Sequence, residues 1–460
     1  MAKNIIISVN PSNSSEILGQ VPFSTEKEIV SKVDLAQKAK KLWKELGVEG
    51  RNKYLTKIIE GFTENQEELA TLQAKEMGMP ISDATVDVED GIRYSQWYLD
   101  HATEYLSPQK TFENDQIYHQ VFHEPYGVAA VITPWNFPIS NFVWGVMQNL
   151  VVGNTVVFKH SEECPLFGKK LEGIILKVNL PEGVFSEVYG DGKVGDFLVH
   201  QNINLIWFTG STKVGQLLYK IAAEKFIKAV FELGGSSPGI VFADADLDRT
   251  LESIFMNRFL NCGQVCDGLK RLIVHQSRFN EIVDKLKKLI QTKKVGDALD
   301  PATNIGPLVA KRQLDALKVQ YQDALDKGAK VERGGNDITK LPGFFFEPTL
   351  LTHVTSDMKV WQEEVFGPIL PIVTFETEDE AIKLANDTKY GLGSYIFTED
   401  KTLAARVASQ IEAGMVGINN AYYGQPCSPF GGQKLSGMGR DHGVFGFHDL
   451  TQVKVVAFEK

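Results

Sequence analysis

Cys262 and Cys266 stand four residues apart in the stretch NCGQVCDG, in a chain of 460 residues that holds only four cysteines. A structural zinc site asks for about four nitrogen or sulfur ligands at short, recognisable spacings. Cys164 and Cys427 lie far off in sequence and no histidines cluster beside any of the four, so no metal is expected. Two buried thiols are the plain reading, because free cysteine packs as a small apolar residue. Gly263 and Gly268, on either side of Gln264, imply a tighter backbone than a core helix. A thiol on such a turn can present its Sγ to a cleft, with backbone N–H groups directed at whatever the sulfur attacks.

A nucleophilic thiol needs partners. Glu232 in FELGGSSPG ends an apolar run and precedes two glycines. That suits a carboxylate at the C-terminal rim of a parallel sheet, where ligands bind; read alone, it is a solvated strand end. Asn136 in TPWNFP sits between prolines that fix the local backbone and disfavour helix. A rigidly held side-chain amide is a good donor to an oxyanion, and a turn asparagine would look the same. FTGSTKVG runs a strand into Gly210 and Ser211, with a helix starting near Thr212. The free N–H groups and positive dipole end of such a helix favour a pyrophosphate, although this is not the GxGxxG fingerprint. KHSE places Lys159 and Glu162 at another strand end. An acid there accepts hydrogen bonds from ribose hydroxyls and repels a 2′-phosphate, which points to NAD over NADP. A surface ion pair is the alternative.

These residues must be held by regular elements. STEKEIVSKVDLAQKAKKLWKEL opens with Ser24 or Thr25 as a cap and has helical spacing, as do the following segments up to SDATVDVEDGIRYSQWYLDHATEYL; the first hundred residues read as helical. TFENDQIYHQVFHEP alternates enough for a pair of strands or one long strand. From Gly127 strands and helices take turns: GVAAVITP, NTVVFKH, GVFSEVYG, LIWFTGS and AVFEL read as buried strands, separated by FVWGVMQNLVVG, PLFGKKLEGIILKV and TKVGQLLYKIAAEKF. That order predicts a doubly wound parallel sheet. A second α/β run follows through GIVF, KRLIVH, LPIVTF, SYIFT and MVGINN, and TQVKVVAF is a last strand.

The composition is that of a globular protein too long for one small core, with 43% apolar and 23% charged residues. A net charge of −10 argues against a nucleic-acid or anionic-membrane partner. No apolar run is long enough for a transmembrane helix or a signal-peptide core, and four scattered cysteines make no secreted disulfide framework. Cytoplasm is the expected compartment.

In order, ITPWNFP, KHSE, FTGST, ELGG, GQVC, EEVFGP and SPFGGQKLSGMGRD resemble the aldehyde dehydrogenase superfamily over essentially the whole chain, most like its shorter bacterial succinate-semialdehyde dehydrogenase type. The resemblance implies a Rossmann-like parallel-sheet NAD-binding domain at 1–107 and 127–234 and an α/β catalytic domain at 235–427. It adds oligomerisation strands at 108–126 and 446–460, with 428–445 returning toward the active site. It makes Cys266 the nucleophile, Asn136 an oxyanion donor beside the Cys266 N–H, and Glu232 the general base. Lys159 and Glu162 match residues holding the adenosine ribose. Thr133, Trp135, Gly210 and Ser211 match positions around the pyrophosphate, and Glu364 and Phe366 those placing the nicotinamide ribose and ring. Cys262 matches a variable position. A homodimer or homotetramer acting on a small aldehyde is implied, with hydrolysis of the acyl intermediate because the glutamate is present.

Three features depart from the family pattern. Gly145 stands where many members carry lysine, and Asp441 where GRE would give glutamate. Asp267 follows the nucleophile, and Trp144 stands where some semialdehyde-type relatives carry arginine. Succinate semialdehyde is the substrate the resemblance favours. A carboxylate substrate wants a cation, however, and an acid with an indole suits an apolar or cationic aldehyde. Arg93, Lys270 and Arg271 are candidates to restore positive charge. Another aliphatic or amino aldehyde, or ester hydrolysis by the cysteine without a cofactor, are the remaining readings.

Overall fold

The chain opens on a hairpin where helix was expected. The computed structural model describes residues 4–460 except 337 and 339. In it β1 (Ile5–Val9) and β2 (Ile17–Pro22) pair antiparallel. The β-branched run at Ile5–Ile7 is a strand signal, and Ile6 faces inward while Ile5 and Ile7 face solvent. Helices follow: α1 (Glu26–Glu45), α2 (Gly47–Glu64), α3 (Gln66–Met77) and α4 (Ile81–Leu106). Thr25 is the cap of α1, in a reciprocal box with Glu28: Glu28 N donates to Thr25 Oγ1 at 3.2 Å and Thr25 N to Glu28 Oε2 at 2.6 Å.

Strands β3 (Gln109–Glu113) and β4 (Ile117–Pro125) are the antiparallel pair expected from TFENDQIYHQVFHEP. Beyond them five strands form a parallel sheet: β5 (Val128–Ile132), β6 (Thr155–Lys159), β7 (Phe185–Val188), β8 (Leu205–Thr209) and β9 (Lys228–Glu232). The connections are α5 (Pro138–Phe142), a π turn at Val143–Met147, α6 (Gln148–Val152), α7 (Pro165–Lys177), α8 (Gly192–Val199) and α9 (Thr212–Lys225). The order is β9-β8-β5-β6-β7. The chain therefore winds one way from β5 to β6 and β7 and the other way to β8 and β9. Such a reversal leaves a crevice at the carboxyl ends of β5 and β8. Both faces are covered, so every residue of β5, β6 and β8 is buried. Ile29, Val33 and Ala36 of α1 pack on one face.

The second half is another α/β layer. Its elements are β10 (Ser237–Val241), α10 (Leu247–Phe259), β11 (Leu269–His275), α11 (Phe279–Gln291), α12 (Lys311–Asp326), β12 (Lys330–Arg333), β13 (Thr349–Thr352), α13 (Lys359–Gln362), β14 (Ile369–Phe375), α14 (Glu378–Asn386), β15 (Tyr390–Gly391), β16 (Tyr395–Phe397), α15 (Lys401–Ala408) and β17 (Gly417–Ile418). Among the described residues its sheet runs β12-β13-β14-β11-β10-β16-β17, parallel except at β12. The chain then turns back. β18 (Gln433–Lys434) pairs with β15, and β19 (Gly437–Met438) adds an antiparallel edge to β9. After α16 (Gly443–Asp449), β20 (Thr451–Glu459) lies antiparallel along all of β4.

Candidate active site

The carboxyl ends of the first sheet collect several of the residues assigned to cofactor, together with Glu232, the assigned base. Thr133 follows β5, Lys159 ends β6, Gly210 and Ser211 follow β8, and Glu232 ends β9. Thr133 N donates to Lys159 O at 3.3 Å and Gly210 N to Glu232 O at 3.0 Å, so the rim is internally tied. Ser211 caps α9 by accepting from Val214 N at 3.4 Å, and no acid sits in that first turn. The positive helix end stays uncompensated. Lys159, only 4% exposed, holds Glu162 at 3.0 Å. Burial acts to raise the Glu162 carboxyl, but the Lys159 ammonium above all keeps it below the usual range.

Across the crevice Trp135 meets Phe366 edge-on at 5.6 Å. Lys270 and Gly235 N both donate to Glu364 Oε1, and a Cβ at Gly234 would collide with Glu364 Oε2. These groups suit a dinucleotide: a helix N-terminus for phosphate, carboxylates for ribose hydroxyls, and a buried Thr133 Oγ1 without a partner. Lys159, Glu162, Ser211 and Glu364 would hold it.

The cysteine turn is strained in the way its glycines suggested. Asn261, Cys262 and Gly263 take left-handed φ values of 48°, 57° and 73° in succession. A Cβ at Gly263 would lie 2.6 Å from Gly367 O, so only glycine fits. Asn261 Nδ2 donates to Asn136 O at 2.8 Å, Asn136 Nδ2 to Gln264 O at 3.1 Å, and Val309 N to Gln264 Oε1 at 3.0 Å. The turn and the Asn136 loop are thus one hydrogen-bonded unit, with one Asn136 amide hydrogen left over. Cys262 is fully buried in the core of the second half, and burial pushes its thiol up to about 12. Cys266 is half-buried and, with Asn136, lines a cavity of about 360 Å³. Burial and then Asp267, whose Oδ1 is 3.9 Å from Sγ, raise the Cys266 thiol well above its ordinary value; Lys270 pulls it down.

Glu232 is 2% exposed and its two carboxyl oxygens have no hydrogen-bond partner. It does not line the cavity; Oε1 is 2.6 Å from where a Cβ on Gly431 would stand. Burial, then the nearby Asp441, raise its pKa far above the carboxylate range. Asp441 is itself buried and raised to about 8, chiefly by burial, while Trp207 Nε1 donates to its Oδ1 at 2.9 Å. The same indole explains Gly145. A Cβ there would stand 2.6 Å from Trp207 Cε3 and 2.6 Å from Val131 Cγ1, so Trp207 fills the volume a lysine would need.

None of the three candidate cations lines the cavity. Arg271 donates to the carbonyls of Ser236, Leu384 and Ala385. Lys270 bonds Gly235 O, Cys266 O and Glu364. Arg93 is outside the lining but meets it from behind, paired with Asp90 at 2.8 Å and 5.0 Å from the centre of the Tyr94 ring. The lining instead includes Asp83, Asp87, Asp90 and Tyr94, one face of α4, which the sequence reading passed over. Their spacing of three or four residues in SDATVDVEDGIRY was the available signal.

The aldehyde dehydrogenase family model matches residues 2–456. The chain is 35% identical over 448 residues to a probable succinate-semialdehyde dehydrogenase [NADP(+)] of Sinorhizobium fredii, covering 97% of this chain and 91% of that one. It is 36% identical over 462 residues to the peroxisomal aminoaldehyde dehydrogenase 1 of Pisum sativum, covering 98% and 92%. Betaine aldehyde dehydrogenase of Staphylococcus aureus, solved with NAD+, superposes with a TM-score of 0.95 at 30% identity, covering 99% and 94%. An E. coli NADP-dependent enzyme does so with a TM-score of 0.95 at 32%, covering 99% and 95%. Agreement of this extent, in sequence and in backbone alike, means that the chain belongs to the aldehyde dehydrogenase family and is an NAD(P)-dependent aldehyde dehydrogenase.

Proposed function

We propose that the chain converts an aldehyde to the free carboxylic acid through a thioester on Cys266, with Asn136 as oxyanion donor and Glu232 as the base that admits water. What supports this most is that Cys266 and Asn136 share one cavity wall while an unpartnered buried carboxyl stands close enough to raise the thiol's pKa. The thiol must first lose its proton, against burial and Asp267 and with help from Lys270. Its sulfur then bonds the carbonyl carbon, and the oxygen takes the negative charge beside the spare Asn136 N–H. Losing such a donor costs roughly 3–4 kcal/mol of barrier. NAD(P), held by Lys159, Glu162, Ser211 and Glu364, would supply the acceptor for the hydride that leaves this carbon as the carbonyl re-forms as a thioester. Glu232 in its ionised form takes a proton from water as it attacks, the acid departs, and the thiol is restored.

The decisive test is Glu232→Gln. It should give a burst of NAD(P)H close to one per site and then near-silence, as acyl-enzyme accumulates. Full steady-state turnover in that variant would remove Glu232 from the mechanism.

NAD is the proposed preferred nucleotide, because the anionic Glu162 faces the ribose position; kcat/KM for the two nucleotides in wild type and Glu162→Gln checks it. The division into a cofactor unit, a catalytic unit and oligomerisation strands is proposed as the resemblance implies. For the substrate, relatives named for succinate semialdehyde support that compound. The cavity supports an aldehyde without a carboxylate, since no Lys, Arg or His lines it.

A further inference from the structure

We infer that the cavity in front of Cys266 is a cation site, and that the substrate is an aldehyde whose far end carries an ammonium or trialkylammonium group. This rests on the aldehyde-oxidising reading above and names its substrate class.

Four aspartates line the cavity, and no lining residue is basic. Asp83, Asp87 and Asp90 rise along one face of α4, each a turn above the last. Asp267 closes the inner end beside the nucleophile, held by Tyr423, whose hydroxyl donates to its Oδ2 at 3.0 Å. Of the four, Asp90 alone has a salt-bridge partner, Arg93, while Lys270 acts on Asp267 at longer range. Asp87 is bonded by Ser140 and, at 2.8 Å, by Gln73, both uncharged. Burial pushes the Asp87 carboxyl up to about 7 and that of Asp83 up to about 6, so a cation arriving here would draw them into their charged form, whereas a carboxylate would meet only acidic groups.

A second feature of the wall selects the same chemistry independently. Tyr94 and Trp144, with ring centres 6.0 Å apart, and Trp144 and Phe430, 5.0 Å apart, meet at the cavity, which Tyr422 also lines. Aromatic faces attract cations, quaternary ammonium groups among them. Thr209, 7% exposed, lines the same wall, and its buried Oγ1 has no partner, which leaves an unused acceptor for an ammonium N–H.

Four aldehydes of equal chain length test it, ending in trimethylammonium, in its uncharged tert-butyl isostere, in a primary amine, and in a carboxylate. The trimethylammonium aldehyde should exceed its isostere in kcat/KM by roughly tenfold or more at low salt, with the margin shrinking as salt is added. The carboxylate should be the poorest. Asp83→Asn with Asp90→Asn should narrow the cationic-to-isostere ratio severalfold. Equal rates for the two isosteres, or a best rate with the carboxylate, would overturn the cation site while leaving aldehyde oxidation intact. Silence with all four and both nucleotides would instead fall on the reading beneath it.

Discussion

Gly145 shows most plainly how one residue can read as a loss and prove to be a substitution elsewhere. The sequence shows only a missing lysine; the indole that fills its place comes from Trp207, far away in the chain, and could not be paired with it by spacing. Gly145→Ala should destabilise the protein by about 1–3 kcal/mol, the cost of overpacking, measurable by chemical denaturation. An unchanged midpoint would mean that Trp207 yields easily.

Asp441 carries a linked expectation. Its folded pKa of about 8 lies above the unfolded value. The unfolded chain therefore ionises first as pH rises, and stability falls between about pH 4 and pH 8. Asp441→Asn keeps an acceptor for Trp207 and should match wild type near pH 4 but melt higher near pH 8. The same variant melting lower at both would contradict the assignment. Cys266, Asn136 and Glu232 could be proposed from the sequence because each lies in a short contiguous motif. The carboxyl interplay of Glu232 with Asp441 was not, because it joins β9 to a segment some two hundred residues later.

Among elements, the strands of the first sheet were the most readable. They are short, mainly apolar and bounded by turn residues, as strands covered on both faces tend to be. The β1–β2 hairpin escaped because a five-residue run gives no period to count. Helix α4 was read as a helix, but which of its polar residues face inward depends on what packs against it. Its aspartates belong to the cavity only because the cysteine turn sits opposite: the Asn261 N–H donates to the Asp83 carboxyl. That turn is the element most sensitive to substitution. Gly263→Ala meets both a positive φ and the Gly367 carbonyl, and should cut kcat well below wild type through displacement of Cys266. Activity and melting temperature within error of wild type would show that the backbone there relaxes freely.

At the scale of the molecule, three separate stretches complete one another's sheets. β19 edges the first sheet from late in the chain, and β20 joins β4 to form a three-stranded sheet with β3. Val453 and Val455 on β20 and Phe112 on β3 are exposed there, and apolar edges of this kind are normally covered. A dimer or tetramer built on this sheet is expected. Val453→Asp with Val455→Asp should lower the mass found by light scattering, and an unchanged oligomer would place the interface elsewhere. Among the described residues no helix is long and apolar enough to cross a membrane.

The pairing of β20 with β4 also sets an order of events during synthesis. The β3–β4 hairpin leaves the ribosome hundreds of residues before its third strand is made, so its open side waits through most of translation. Chains stopped before Thr451 would keep that side bare permanently, and should be found in aggregates more often than chains shortened by the same length at the front.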